Sequence, residues 1–302
     1  MSKIDPIQVL QKNVEILSEH SAPEYEYIPR HEKPLPSVSK IHELVDIIRS
    51  IIFPGYFGEN IANSRSLHYN IGVNLEKLYG ILSDQIHYSI CFSNSDKCEE
   101  SKSIATELAL TFIDKIPEIK RLLSTDVKAT LDADPAASSY GEVIFCYPTI
   151  KALVNHRIAH ELLKLGVPVL PRIISEQAHS ETGIDIHPGA QIGEYFSIDH
   201  GTGVVIGETS IIGNHVLLYQ GVTLGAKKFT FDDEGNPINL PRHPIVEDNV
   251  TIYSNANILG RITIGAGSVI GGNVWLTTSV PPNSRVVQQK ALETSFMYGS
   301  GI

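Results

Sequence analysis

Aliphatic residues recur every six positions along residues 186–280, a spacing that neither an α-helix nor an ordinary strand sustains. Ile186, Ile192, Ile198 and Val204 are six apart; the phase then slips by two, and Ile206, Ile212, Leu218 and Leu224 resume it. After an interruption at 226–244, Val246, Ile252, Ile258, Ile264, Ile270 and Leu276 continue the period. A second register four residues on holds small or β-branched residues, Val250, Ala256, Ile262, Ser268, Val274 and Val280. Glycine often follows the aliphatic position, as at Gly193, Gly207 and Gly265, where a sharp corner favours it. This pattern specifies short parallel strands wound into a β-helix of hexapeptide repeats, with the aliphatics pointing inward. The polar segment 226–244 has to leave the coil, and a long loop on a compact scaffold is a candidate substrate cover.

Before Thr182 the rhythm is helical. Ile41, Leu44, Val45, Ile48, Ile51 and Ile52 form one stripe; Ile71, Leu75, Leu78, Leu82, Ile86 and Ile90 form another. Further stripes run through Ile104–Ile116, Ile119–Val127 and Ile150–Leu165, each needing a partner surface. The expected fold class is α+β: an irregular N-terminal arm over 1–36, an α-helical domain over 37–181, the β-helix over 182–283 with its loop at 226–244, and a tail over 284–302.

The formal net charge of −10 argues against nucleic acid and anionic membranes as partners. The chain start has no apolar stretch of signal-peptide length, and no run approaches the roughly 18 apolar residues of a membrane span. The expected location is the cytoplasm. Cys91, Cys98 and Cys146 show no zinc-type spacing and read as three free thiols in a reducing compartment.

Polar residues that interrupt the aliphatic coil are the candidates for chemistry. They cluster at Asp185–Gly193, Ser197–Thr209, Gly221–Gly225 and Pro241–Pro244. His200 lies between Asp199 and a run of glycines. An imidazole with a pKa of about 6.5 suits the work of a general base on a hydroxyl. A carboxylate can fix its tautomer, and both Asp185 and Asp199 are available; spacing does not choose between them.

Asp-Ile-His-Pro at 185–188, Asp-His-Gly-Thr-Gly at 199–203, Val-Ile-Gly-Glu-Thr at 205–209, Gly-Val-Thr-Leu-Gly at 221–225 and Arg-His-Pro at 242–244 follow an order that resembles bacterial and plant serine acetyltransferases. Asp134-Pro135-Ala136, the helix carrying His156-Arg157-Ile158-Ala159-His160, and the tail 294–302 resemble the same family. The resemblance implies a left-handed β-helix and transfer of acetyl from acetyl-CoA to the hydroxyl of L-serine, the first step of cysteine biosynthesis. It assigns His200 as general base with Asp185 as its pairing carboxylate, Arg242 and His243 to the serine carboxylate, Asp134 and Asp199 to the amino group, and Glu208 to the same pocket. Acetyl-CoA, a co-substrate rather than a permanent cofactor, would run past Gly225 and Ala226, with Ser254 beside it. No metal is implied. The chain departs from the family pattern at Gly225-Ala226, in the longer loop before Arg242, and at Ser284-Arg285-Val286-Val287. The resemblance also implies a homotrimer or a dimer of trimers with active sites between subunits, and cysteine synthase as a partner engaged by the terminal Ile302.

Two rival functions share the six-residue period. One is another hexapeptide O-acetyltransferase acting on a sugar hydroxyl. The other is a zinc carbonic anhydrase of β-helix type, drawing three ligands from His187, His200, His215 and His243.

Overall fold

A computed structural model describes residues 5–27, 34–58, 63–228, 230–236, 238 and 240–289; Ile302 lies outside the described residues. The chain divides into two units, residues 1–34 and 35–302. In the first, where the sequence suggested an irregular arm, α1 (Pro6–Ser18) and α2 (Glu24–Tyr27) form. Asp5 caps α1 by accepting the Ile7 N–H, and proline occupies the first turn, where its missing N–H costs nothing.

The second unit starts with helices α3 (Val38–Ile52), α4 (Ser64–Ser93), α5 (Ser101–Ile113), α6 (Ile116–Ala133), α7 (Tyr140–Cys146), α8 (Pro148–Lys164) and α9 (Leu170–Thr182). The stripes read from the sequence become its core: Ile41, Leu44 and Ile48 of α3 meet Leu78, Leu82 and Ile86 of α4, all fully buried. Gly183, at φ +69°, ends α9 in the left-handed conformation that glycine adopts without strain, and the coil starts at once.

Among the described residues, fourteen short strands follow. β1 (Asp185–Ile186), β4 (Val205–Ile206), β7 (Thr223–Gly225), β10 (Asn257–Leu259) and β13 (Trp275–Leu276) stack as one parallel ladder. A second ladder holds β2 (Gln191–Ile192), β5 (Ile211–Ile212), β8 (Ile245–Val246) and β11 (Thr263–Ile264). The third holds β3 (Ser197–Asp199), β6 (Leu217–Tyr219), β9 (Thr251–Ile252), β12 (Val269–Ile270) and β14 (Arg285–Val286). Each inward aliphatic sits over its counterpart one coil away, Ile186 on Ile206 and Ile198 on Leu218, so the prism core is a column of β-branched and leucine side chains. The two-residue phase slip is a widened corner between β3 and β4, and that corner carries His200. The interruption at 226–244 replaces the corner between β7 and β8.

Helices and coil share one hydrophobic cluster. A buried ion pair pins them together. Arg157 on α8 donates from Nε and Nη2 to the two oxygens of Asp126 on α6, at 2.7 and 2.9 Å, and from Nη2 to Gly193 O at 2.8 Å. Asp126 also accepts the Phe196 N–H, and Thr125 Oγ1 accepts the Tyr195 N–H. α6 is thereby fixed against the strand that ends in Asp199, and its own C-terminus delivers Asp134.

The expectation of three free thiols is corrected. Cys91 in the last turn of α4 and Cys98 after the turn Ser95–Lys97 are disulfide-bonded, with Cα atoms 4.4 Å apart; Cys146 is free and exposed. The tight turn between α4 and α5 brings the two together, a proximity that linear spacing does not reveal. Among the described residues no helix is long and apolar enough to cross a membrane.

Candidate functional site

His200 occupies the widened corner with φ +57°, a left-handed conformation uncommon outside glycine. Its side chain is 71% exposed while that of Asp199 is only 15% exposed, so the ring faces open space with a sheltered carboxylate beside it. His200 Nε2 lies 3.8 Å from Asp199 Oδ2. Asp134, at the C-cap of α6, is close enough to the same ring for the imidazole to stabilise its charge.

Asp134 is held at both oxygens. Oδ1 accepts the Ala136 N–H at 2.8 Å, and Oδ2 accepts the Tyr147 hydroxyl at 2.5 Å. The tyrosine hydrogen bond, followed by the backbone one, keeps this carboxyl below its usual range, and the same bond pushes the phenol up to about 12. Tyr147 was not read from the sequence. It lies 13 residues past Asp134, across α7, at the N-cap of α8, and no periodicity marks it.

A second group gathers at a different edge of the prism. Glu208 and Thr209 turn the corner from β4 to β5, and Arg242 and His243 end the long loop just before β8. Arg242 Nη2 donates to Glu208 Oε2 at 2.6 Å. His243 is 7% exposed and packs over Gly207, where an added Cβ would come within 2.0 Å of its ring. Burial first, then the Arg242 guanidinium, pushes His243 down to about 4. His187 is half-buried on the same side and is also lowered by desolvation; Asp185, on β1 in register with Val205, is among the charges that oppose this. Gly225 and Ala226 leave this edge into the loop. Beside them Lys227, Lys228, Arg242 and Arg261 line a cavity of about 230 Å³ with a cationic rim. Ser254 follows β9 on the His200 edge, where its carbonyl accepts the Asn273 N–H.

Within one chain the site residues therefore form two sets: Asp134, Tyr147, Asp199 and His200 at the corner joining the third ladder to the first, and Glu208, Arg242 and His243 at the corner joining the first to the second. The structure does not bring His200 and His243 into one cleft of a single chain. Nor do His187, His200, His215 and His243 converge as zinc ligands. Among the described residues of one chain, the grouping with metal-ligand proximity is His87, Cys91 and Cys98 in the helical domain, and its two cysteines are the disulfide-bonded pair. His215 instead stacks on Tyr195, ring centroids 4.4 Å apart. A cavity of about 1000 Å³ between α3 and α4 holds none of the candidate residues.

Comparison with known proteins identifies the family. Residues 243–278 match the family described as Bacterial transferase hexapeptide (six repeats). A serine acetyltransferase encoded on a plasmid of Synechococcus elongatus is 49% identical over 276 residues, covering 89% of this chain and 86% of that protein. The serine acetyltransferase of Bacillus subtilis is 48% identical over 167 residues, 55% of this chain and 73% of that one. Among solved structures, Entamoeba histolytica serine acetyltransferase 1 in complex with L-cysteine superposes with a TM-score of 0.70 at 36% identity, over 92% of this chain and 96% of that one. With nearly half its residues shared across most of both chains, this protein belongs to the serine acetyltransferase family.

Proposed function

We propose that this chain catalyses transfer of the acetyl group of acetyl-CoA to the hydroxyl of L-serine, giving O-acetylserine and free CoA. The observation that carries the reading is His200: an exposed imidazole held in a strained left-handed conformation beside two carboxylates, on a corner enlarged for it. In the proposed step His200 removes the hydroxyl proton as the serine oxygen attacks the thioester carbon. The C–S bond then breaks, and the imidazolium returns the proton to the departing thiolate. A positioned base of this kind contributes about 10²–10⁴ in rate. Asp134 and Asp199 supply negative charge for the serine ammonium, while Arg242 and His243 suit its carboxylate. Asp185 is proposed as the carboxylate that pairs with His200, and Glu208 orients Arg242. The lysines and arginine beside Gly225 and Ala226 suit the phosphates of acetyl-CoA, with Ser254 on the facing edge.

The two residue sets lie on different edges of one prism, so a complete site is proposed to form between chains, His200 of one copy facing His243 of the next in a cyclic trimer. Dimerisation of such trimers, a cytoplasmic location and capture of Ile302 by cysteine synthase are part of the same proposal. The test is a panel of acceptors with acetyl-CoA, with products identified by mass spectrometry. Acetylation of L-serine in preference to sugars is expected. Efficient transfer to a sugar with serine inert overturns the reading.

A further inference from the structure

Three histidines near the proposed site have one ring nitrogen whose protonation is dictated by the backbone. His160 Nδ1 faces the Pro188 carbonyl at 2.8 Å, and a carbonyl only accepts, so that nitrogen carries the proton. His187 Nδ1 faces the Gly189 N–H at 3.0 Å, so that nitrogen is bare. His243 is the most fully determined. The Thr209 N–H points at its Nδ1 at 3.0 Å, and Thr209 Oγ1 lies 2.9 Å from the same nitrogen.

The threonine hydroxyl settles its own role by counting. A hydroxyl has one proton and two lone pairs. Oγ1 accepts the N–H of Arg242 at 2.9 Å and the N–H of His243 at 3.0 Å, which fills both lone pairs. Its proton is left for His243 Nδ1, which therefore receives two donors and has to be an unprotonated acceptor. Arg261 braces the assembly from below: Nη1 donates to Thr209 O at 2.6 Å and to His243 O at 3.0 Å, tying together two segments 34 residues apart. The ring lies in a slot that Gly207 leaves open. Its Nε2 has no hydrogen-bond partner among the described residues.

We infer that Thr209 and Arg261 are positioning residues that lock His243 as the tautomer with its proton on Nε2, so that this ring serves as a fixed hydrogen-bond donor to the anionic end of the acceptor substrate and not as a second base. The inference rests on the proposed acetyl transfer for the identity of that anion, the serine carboxylate. The tautomer itself stands on the hydrogen bonds alone. The charged and titratable groups facing the ring are Arg242, Arg261, His187 and Glu208, three of them cationic or potentially so, and the two donors at Nδ1 add to their opposition to an imidazolium. The two proposed site histidines thus divide the work: His200, exposed, exchanges a proton, and His243, enclosed, lends one without giving it up.

The direct test is ¹⁵N NMR of protein labelled in the histidine rings, with the His243 signals assigned by their loss in His243→Gln. The inference expects a pyridine-like Nδ1 and a pyrrole-like Nε2 that persist unchanged from pH 8 to pH 5. A protonated Nδ1, or a ring that titrates within that range, overturns it. The kinetic test is Thr209→Val, which keeps the backbone N–H and removes the hydroxyl. With a net hydrogen-bond contribution of about 1 kcal/mol, the KM for serine should rise about fivefold, the KM for acetyl-CoA should stay within about twofold, and Thr209→Ser should restore both. Wild-type serine KM in Thr209→Val shows that the threonine does not position the ring. Should the NMR signature hold while serine proves not to be the acceptor, the lock stands and the proposed function falls; serine turnover with a protonated Nδ1 has the opposite meaning.

Discussion

Gly207 is the position where one added methyl group should separate fold from activity. Its φ is not in the left-handed region, so alanine meets no backbone objection there. The obstacle is the imidazole of His243. A Cβ at residue 207 would lie 2.0 Å from Cδ2, 2.2 Å from Nε2 and 2.7 Å from Cγ of that ring. Ordinary contact begins at 3.4 Å, so the ring has to retreat by about 1.4 Å. It cannot tilt freely, because Nδ1 is tied to Thr209 and the backbone is braced by Arg261. Misplacing a substrate-orienting group by about 1 Å costs on the order of 10²-fold, or about 2.7 kcal/mol of transition-state stabilisation. Gly207→Ala should therefore lower kcat/KM for serine about 100-fold, measured as release of CoA thiol with a chromogenic disulfide, while circular dichroism and oligomer size stay as in the wild type. Activity within threefold of wild type would refute the placement of His243 and the role derived from it.

Other consequences are more compact. Tyr147→Phe removes the hydroxyl that orients Asp134 and should raise the serine KM about tenfold with kcat little changed, as expected for a hydrogen bond to a charged group; an unchanged KM removes Tyr147 from the site. Arg157→Met leaves the Asp126 carboxylate buried and unpaired and should destabilise the chain by about 3–5 kcal/mol in urea titrations. A much smaller loss means the pair does not hold helices to coil. His156, His160, His187 and His243 are all depressed, chiefly by burial, so between pH 6.5 and 5 the unfolded chain binds protons that the folded chain refuses. Stability should be full above about pH 7 and fall as pH drops through the unfolded histidine range near 6.5, seen as a declining urea midpoint; a flat profile contradicts the burial of these rings. Chains carrying His200→Ala and chains carrying His243→Ala, co-refolded in equal amounts, should regain about one quarter of wild-type activity if each site draws one edge from each of two copies. No recovery places both residues in one chain's site.

The sequence period announced the β-helix, because each inward position must be aliphatic in every coil and a lapse leaves a cavity; its last strand, β14, lies within the segment 284–302 that the sequence reads as a tail. Even the two-residue slip after Val204 had structural content, since it is the widened corner that presents His200. The candidate motifs were visible because polar residues stand out against an aliphatic coil, although their roles came only from the family resemblance. What stayed hidden depends on contacts between distant segments. Tyr147 reaches Asp134 only because α7 folds back. Arg261 braces Thr209 across 52 residues, and as one more corner arginine it carries no local signal. Cys91 and Cys98 meet only because a tight turn follows α4. The placement of the candidate residues on two prism edges likewise emerges only once the ladders are ordered, because the six-residue period does not say which corner of the prism a residue occupies.

The account depends most on His200 as the base. Purified His200→Ala protein, shown to be folded by circular dichroism, should consume acetyl-CoA with L-serine about 10²–10⁴-fold more slowly than the wild type, with serine binding retained. Turnover at the wild-type rate by that variant would contradict the account at its centre.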